Sequence, residues 1–525
     1  PDSERLINLL DLAFLGRASA GEIDRELDAM TAGTSIWDSE HFADDLFLAE
    51  FVDDNMNIQV EGQKYRLHSR FLERVLKTPP NDLDTLHFRQ GILRELEEDR
   101  DLVTTTSRLM TRMYRLLTLL RASRDDARLE PVRFRFDVLE NFRMAVVTMD
   151  EGFASAGSGL HRLHEFAAEI RGTRAFQNLV DLLDHSKSMA SLKLETVVGS
   201  DGRIRHLEIR GLEERRRNPF FRRPFRRWFD RIRIVYHRYS LRPSELVERL
   251  LMGVFSETVP ALARVVQVVC HLEVYMASRA FASKARSRNL EVCLPDVDKG
   301  AHLHLHSLFN PLLLDLMERP TPTDLELQSA APISLVTGPN SGGKTRLLQA
   351  VGICQVLAQS GLYAPCETGR LPLVDGLFAS IIELDRADQA EGRLGTELVR
   401  LRTLFQRVPQ GSLVLLDELC SGTNPSEAIE IVEMVLRLLR QLQPVAFVTT
   451  HFLDFAQQLS GGGATDGLGF LQAEVNDSGA ATFRFIEGVA STSLAAGTAQ
   501  RLGVTFDELE RTLEERVGNH ENTPS

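Results

Sequence analysis

The sequence predicts a multidomain chain: an α-helical domain interrupted by a short basic insertion, followed by an α/β domain with a mostly parallel sheet. Three observations lead there. Apolar residues recur at spacings of three and four over long stretches of residues 79–295. Within that region, a strand-turn-strand pattern and a patch of arginines and aromatics occupy 190–235. From residue 296 onward, short apolar strands alternate with helices, and one of those strands runs into a glycine-rich turn.

Taken in order, residues 1–78 are an N-terminal segment of short helical and strand-like pieces with no motif that suggests a role. Pro79 and Pro80 in "KTPPND" close it. From Asp82 the helical period begins with Leu83, Leu86, Ile92, Leu93 and Leu96, and "SRLMTRMYRLLTLLRAS" continues it. A second helical run covers about 160–191. The pattern then alternates on both sides of Gly199-Ser200-Asp201-Gly202, which predicts a β-hairpin. After the basic patch comes a helix of about forty residues, roughly 60 Å at 1.5 Å per residue, with Pro260 predicted to kink it. The apolar runs Ile333–Thr337, Leu413–Leu416 and Val445–Thr449 read as strands of the α/β domain.

Composition narrows the function classes. The 525 residues carry a formal net charge of −13, so the whole chain is no general binder of polyanions. Charge is uneven, however. Thirteen arginines and four acids between Arg203 and Arg238 give that segment about +9. No run approaches the eighteen or so apolar residues of a membrane span, and the N-terminus lacks the layout of a signal peptide. The five cysteines form no CxxC pair, which fits reduced thiols and a cytoplasmic protein.

"ISLVTGPNSGGKTRLLQAVG" is an apolar strand, a glycine-rich turn and a helix, and Gly338–Thr345 matches G-x-x-x-x-G-K-[ST] in the setting that motif requires. Backbone N–H groups of Gly338, Asn340, Ser341, Gly342 and Gly343, in a loop that includes Pro339, with the helix N-terminus at Lys344-Thr345-Arg346, suit the cradling of phosphates. Lys344 would reach the terminal phosphates of ATP, and Thr345 would hold Mg²⁺. In "GSLVLLDELCSGTNPSE", Asp417 ends a strand where a carboxylate completes the Mg²⁺ shell, and Glu418 can orient water or act as its base. In "VAFVTTHFLDF", His451 ends another strand and could contact the γ-phosphate. His302, His304 and His306 in "HLHLH" share one strand face, but no carboxylate or thiol ligand stands near them in sequence, so a structural reading is preferred.

These spacings are those of the ATP-binding cassette class, and the residues resemble the MutS family of DNA-repair ATPases. Its T-G-P-N-x-G-G-K-[ST] loop stands here as Thr337–Thr345, its G-x-Y-x-P-A is echoed by "GLYAPC", its D-E-x-x-x-G-T by Asp417-Glu418…Gly422-Thr423, and its T-H by Thr450-His451. "FRFIEGVASTSLAAGTAQRLGV" is similar to the segment that closes the family's ATPase domain, placing Phe483 near the adenine. "PNDLDTLHFRQGILREL" and "NLEVCLPDVDKGAHLHLHSLFNPLLL" resemble the start of the lever domain and its junction with the ATPase, Asn310 replacing a histidine. The likeness covers roughly 80–510 and is most specific over 335–455.

The resemblance implies a helical lever/core domain over 79–295 with a clamp-like insertion at 190–235. It implies an ABC-type P-loop ATPase domain over 296–525, with ATP and Mg²⁺ as cofactors. It further implies a homodimer paired through the ATPase domain, DNA as partner and a place in repair. The family's Ser-Thr-Phe signature, which meets the partner subunit's nucleotide, reads Gly395-Thr396-Glu397 here. A Gly395 N–H could still donate at a helix start, but Glu397 would repel phosphate if it faced one. No Phe-x-Glu wedge appears, so mismatched-DNA binding does not follow. The sequence is expected to lack the mismatch-recognition domain and the small MutS-related nuclease domain. Arg215, Arg216, Arg217, Arg222, Arg223, Arg226, Arg227 and Trp228 suit phosphate contact and base stacking on branched DNA, with structured RNA as the other ligand. Packing of the same segment on the lever is the bland alternative. A different class of function is a nucleotide-gated dimeric scaffold for a protein partner, or a ribosome-associated relative, with little ATP turnover.

Overall fold

The structure is a computed structural model and describes residues 2–14, 20–31, 33, 35–60, 63–64, 68–122, 131–188, 192–198, 204–212, 243–300, 302–327, 332–339, 341–381, 392–420, 423–461, 467–476, 480–491 and 506–521. The eight residues singled out in the basic patch, from Arg215 to Trp228, lie outside the described residues, as do Asn340 and Gly422. Two compact units emerge: Pro1–Met30 with Glu95–Leu272, and Thr31–Arg94 with Glu273–Ser525. A linear reading keeps 1–78 together and opens the helical domain at 79. Residues 31–94 instead fold with the α/β part of the chain.

Fifteen helices are described. In chain order they are α1 (Asp2–Phe14), α2 (Ala20–Asp28), α3 (Leu48–Asn55), α4 (Ser69–Lys77), α5 (Leu83–Glu98), α6 (Arg100–Ala122), α7 (Pro131–Gly152), α8 (His161–Gly172), α9 (Arg174–Ser188), α10 (Pro243–Ser287), α11 (Lys344–Gln359), α12 (Gly392–Arg407), α13 (Pro425–Leu442), α14 (Leu453–Gly461) and α15 (Phe506–Glu521). The strands are β1 (Gln59–Val60), β2 (Gln63–Lys64), β3 (Leu192–Val198), β4 (Ile204–Leu212), β5 (Asp296–Asp298), β6 (Leu303–Leu308), β7 (Thr323–Leu327), β8 (Ile333–Thr337), β9 (Thr368–Pro372), β10 (Leu377–Ser380), β11 (Leu413–Leu416), β12 (Val445–Thr449), β13 (Leu468–Val475) and β14 (Ala481–Glu487).

The first unit is helical. α6 packs on α7, and α7 on α8 and α9. Leu109, Leu116, Val138, Phe142, Met149 and Phe176 are buried there at the three-and-four spacing that predicts the helices. The turn before α8 is held by Glu95, whose carboxylate accepts the N–H of Gly157 at 2.6 Å and of Ser158 at 3.1 Å. The expected hairpin is present: β3 and β4 pair antiparallel from Leu192↔Leu212 to Val198↔Ile204. α10 continues through Pro260 as one 45-residue helix. Pro260, which brings no N–H to the helix, is exposed. Its Gly253–Ser287 stretch is long and apolar enough to cross a bilayer, but 61% of its most apolar window is buried within the protein, as in a core helix.

The second unit is built on a six-stranded sheet in the order β10-β11-β12-β8-β13-β14, parallel except for β14. β8, β11 and β12 are buried at every position, which is why they read as continuous apolar runs rather than alternating ones. A second sheet runs β5-β9-β6-β7. Here His306 meets Asp324 at 2.7 Å and Glu367 at 3.6 Å, carboxylates that local sequence does not reveal. α11 is enclosed over almost its whole length. Gly352 within it permits this: a Cβ there would stand 2.5 Å from Leu46 Cδ2 and 2.9 Å from Leu415 Cδ1. Residues 31–94 are tied in by long-range bonds. The Trp37 indole donates to the Val374 carbonyl at 3.2 Å, and the Gln359 amide donates to the carbonyls of Pro80 at 3.1 Å and Val374 at 2.8 Å.

Candidate functional site

Parallel neighbours β11, β12 and β8 deliver three chain segments to one edge of the sheet, at their carboxyl ends, where ligands of open α/β sheets bind. From β8 the chain enters the glycine loop. Gly338 has φ 137°, and a Cβ on it would stand 2.7 Å from the Ala473 Cβ. The Gly342 N–H donates to the Pro339 carbonyl at 2.8 Å, and Gly343, at φ 87°, caps α11. Only glycine meets the torsion and the space together at 338. Gly338→Ala is therefore expected to cost about 2–4 kcal/mol, from strained torsion and overpacking, read as a lower melting temperature.

Lys344, the first residue of α11, is only 3% exposed. Its ammonium donates to the carbonyls of Gly338 at 3.0 Å and Pro339 at 3.2 Å, and pairs with Glu418 Oε1 at 3.0 Å. Beside it, the Thr345 hydroxyl donates to Asp417 Oδ2 at 2.6 Å. The Thr449 hydroxyl donates to Asp417 Oδ1 at 2.6 Å and accepts the Glu418 N–H at 2.9 Å. Burial raises the Asp417 carboxyl above its ordinary range; the two hydroxyls and Lys344 oppose that, and Glu418 adds to it. Glu418 itself has φ 43°, a turn out of β11 that sets its carboxylate toward Lys344.

Ser341, Gly343, Lys344, Thr345 and Arg346 open onto a cavity of about 1000 Å³, whose other walls include Phe47, Asn310, Met317, Phe483 and Phe485. Phe483 is half exposed and approaches the position of a Gly343 Cβ to 3.4 Å. The donor set fits a nucleotide with magnesium. A buried ammonium, a glycine turn that leaves no room for side chains and a helix N-terminus suit phosphates. A hydroxyl and a carboxylate at 2.6 Å suit a hard, oxygen-seeking cation.

Not all the predicted residues meet there. His451 packs its ring on Phe452, with centroids 4.0 Å apart, and does not line the cavity. Gly395 and Thr396, expected at the partner subunit's nucleotide, lie on α12. α12 begins at Gly392, which puts Gly395 in its first turn. The Glu397 carboxylate accepts the Cys420 N–H at 2.7 Å, and so is engaged with the loop after Glu418. Thr449 was missed: its hydroxyl is one residue before the noted Thr450-His451, and only the β11–β12 register places it against Asp417. Asn310 was noted only as a departure. Its amide donates to the Arg346 carbonyl at 2.9 Å, which fixes the wall beside α11.

The family model described as MutS domain V matches residues 334–504, a span that holds the glycine loop from Gly338 on, Asp417, Glu418, His451 and Phe483. Over this span the chain carries a domain V of the MutS type. Among curated MutS relatives, Endonuclease MutS2 of Thermomicrobium roseum is 29% identical over 280 residues, 52% of this chain and 35% of the relative. Endonuclease MutS2 of Streptococcus sanguinis is 30% identical over 49% of this chain and 32% of the relative. Endonuclease MutS2 of Gemmatimonas aurantiaca is 33% identical over 40% of this chain and 26% of the relative. The matches thus span about a third or less of the length of these MutS proteins.

Proposed function

We propose that this chain is a MutS-family ATPase that binds nucleic acid, working as a cytoplasmic homodimer paired through its α/β unit. ATP binding and hydrolysis would gate a clamp formed by the helical domain and its 190–235 insertion. The observation that carries the nucleotide half is the Lys344–Thr345–Asp417–Thr449 array at the edge of the parallel sheet.

In this reading the glycine-loop N–H groups and Lys344 bind the phosphates, and Phe483 stacks on the base. Thr345 and Asp417 hold Mg²⁺, which when bound supplies neutralisation of phosphate charge. Thr449 fixes the Asp417 carboxylate and, through the Glu418 N–H, the turn that carries the base. Glu418 orients water and takes its proton, and His451 would have to turn from its packing on Phe452 to contact the γ-phosphate. Branched or structured DNA in repair or recombination is the proposed partner, with structured RNA as the other candidate. Strand cleavage is not part of the proposal, because the match to proteins named endonuclease covers too little of their length.

A second reading has two specific observations in its favour. Glu418 is paired with Lys344, and Glu397 stands where the family's signature has phenylalanine. Both suit a nucleotide-gated scaffold for a protein partner with little turnover. Steady-state hydrolysis, alone and with single-stranded, duplex, four-way-junction and structured-RNA ligands, separates the two. Stimulation by one ligand supports the clamp cycle and names its ligand class; nucleotide binding without turnover under every condition selects the scaffold. For the basic insertion, alanine at Arg222, Arg223, Arg226 and Arg227 together is expected to flatten the salt dependence of nucleic-acid binding. The slope of log affinity on log salt should fall by about 0.9 for each lost duplex phosphate contact. An unchanged slope and affinity would remove the insertion from the interface.

A further inference from the structure

Residues 1–78 carry no motif, yet Asp45 is one of the most buried acids in the second unit, at 5% exposed. Its carboxylate does two things. Oδ1 accepts the N–H of Ile381, immediately after β10, at 2.7 Å, and Oδ2 pairs with the Arg400 guanidinium of α12. The same Arg400 nitrogen donates to the Ala379 carbonyl at 3.0 Å. Between those two contacts lies Ser380, whose carbonyl accepts the Asp417 N–H at 3.0 Å. Asp45 and Arg400 therefore clasp, from both sides, the one residue whose carbonyl holds the backbone of Asp417.

α12 reaches the same edge a second time. Glu397 lies three residues before Arg400, hence on the same helix face, and its carboxylate holds the Cys420 N–H at 2.7 Å. One helix thus secures the strand next to Asp417 through Arg400 and the loop after Glu418 through Glu397. Asp45 is the counter-charge from the N-terminal segment that fixes its position. A purely stabilising ion pair would not need this arrangement; a buried pair often adds little stability over apolar replacements, and its best-attested use is to select one geometry.

We propose that Asp45 and Arg400 are positioning residues for ATP turnover, setting the β10–β11 edge and α12 so that Asp417 and Glu418 keep their working geometry. The proposal rests on the ATPase reading above. The bonds described run to the β10 edge rather than to the glycine loop or Lys344, although Ile381, which Asp45 holds, and Phe47 line the cavity, so the hydrolytic step is expected to suffer more than phosphate binding. Misplacement of a reacting group by an ångström costs up to about 100-fold in rate.

The experiment uses the full chain with Asp45→Asn, Arg400→Gln, Arg400→Lys and the Asp45→Asn/Arg400→Gln pair, each assayed well below its own melting temperature. Binding of a fluorescent ATP analogue and steady-state turnover are measured side by side. The expected result is a fall in kcat of about 10- to 100-fold for D45N and R400Q, with analogue affinity within about threefold. R400K should recover part of kcat, and the double variant should be no worse than the worse single one. Unchanged kcat in folded protein, equal losses of kcat and affinity, or additive losses in the double variant would each overturn the proposal. If the unaltered protein shows no turnover with any ligand, the ATPase reading fails on its own. The positioning is then read by amide hydrogen exchange: R400Q must speed exchange at Asp417–Cys420, and unchanged exchange there overturns it.

Discussion

Lys344→Ala is expected to lower affinity for ATP by about 10- to 150-fold and to bring turnover to background. The ammonium is buried and is shared among two loop carbonyls and Glu418, so it is a fixed cation at the floor of the cavity. A charge-assisted hydrogen bond contributes about 1.5–3 kcal/mol, which corresponds to that range in affinity. The substitution also leaves the Gly338 and Pro339 carbonyls and the Glu418 carboxylate without their donor, so some loss of stability should accompany it. Titration calorimetry with a non-hydrolysable analogue and a coupled assay of phosphate release check both parts. Normal hydrolysis by the variant would end the nucleotide half of the proposed function.

Asp417→Asn is expected to do the opposite to stability while removing turnover. Burial holds the folded-state pKa of Asp417 above its ordinary value of 3.8. For a carboxyl raised in this way, the linked stability is fully present below the ordinary value and is lost as pH rises through the raised one. At pH 7.5 the ionised, enclosed carboxylate is therefore a net cost, which asparagine removes. The variant should melt higher at pH 7.5, and the difference should shrink as pH is lowered toward 3.8. Magnesium added to the nucleotide-saturated protein should raise the melting temperature of the unaltered protein further than that of the variant. Turnover should fall at least about 100-fold, as for loss of a transition-state electrostatic contact. A variant that is less stable at pH 7.5 would show that Asp417 is not strained by burial.

How far the sequence could be read depended on range. β8, β11 and β12 were legible to the residue because each is a short, wholly apolar run ended by a motif, and the β3–β4 hairpin because its turn residues stand between two alternating stretches. Lys344, Thr345 and Asp417 were legible because the chemistry of phosphate binding dictates residue types at fixed spacing. Thr449 was not, because its role depends on a parallel register rather than on its neighbours. Asp45 and Arg400 are 355 positions apart, and no local pattern distinguishes Asp45 from the other acids around it.

The second unit is discontinuous in the chain, Thr31–Arg94 first and Glu273–Ser525 later. During synthesis this has a cost in time. At about 5–20 residues per second, the intervening stretch takes roughly 10–40 s to emerge from the ribosome. Over that interval Trp37, Phe42 and Leu46, all buried in the finished protein, have no α11 or β10 to cover them. The earliest-made part of the second unit is thus the part that must wait longest for the elements that cover it.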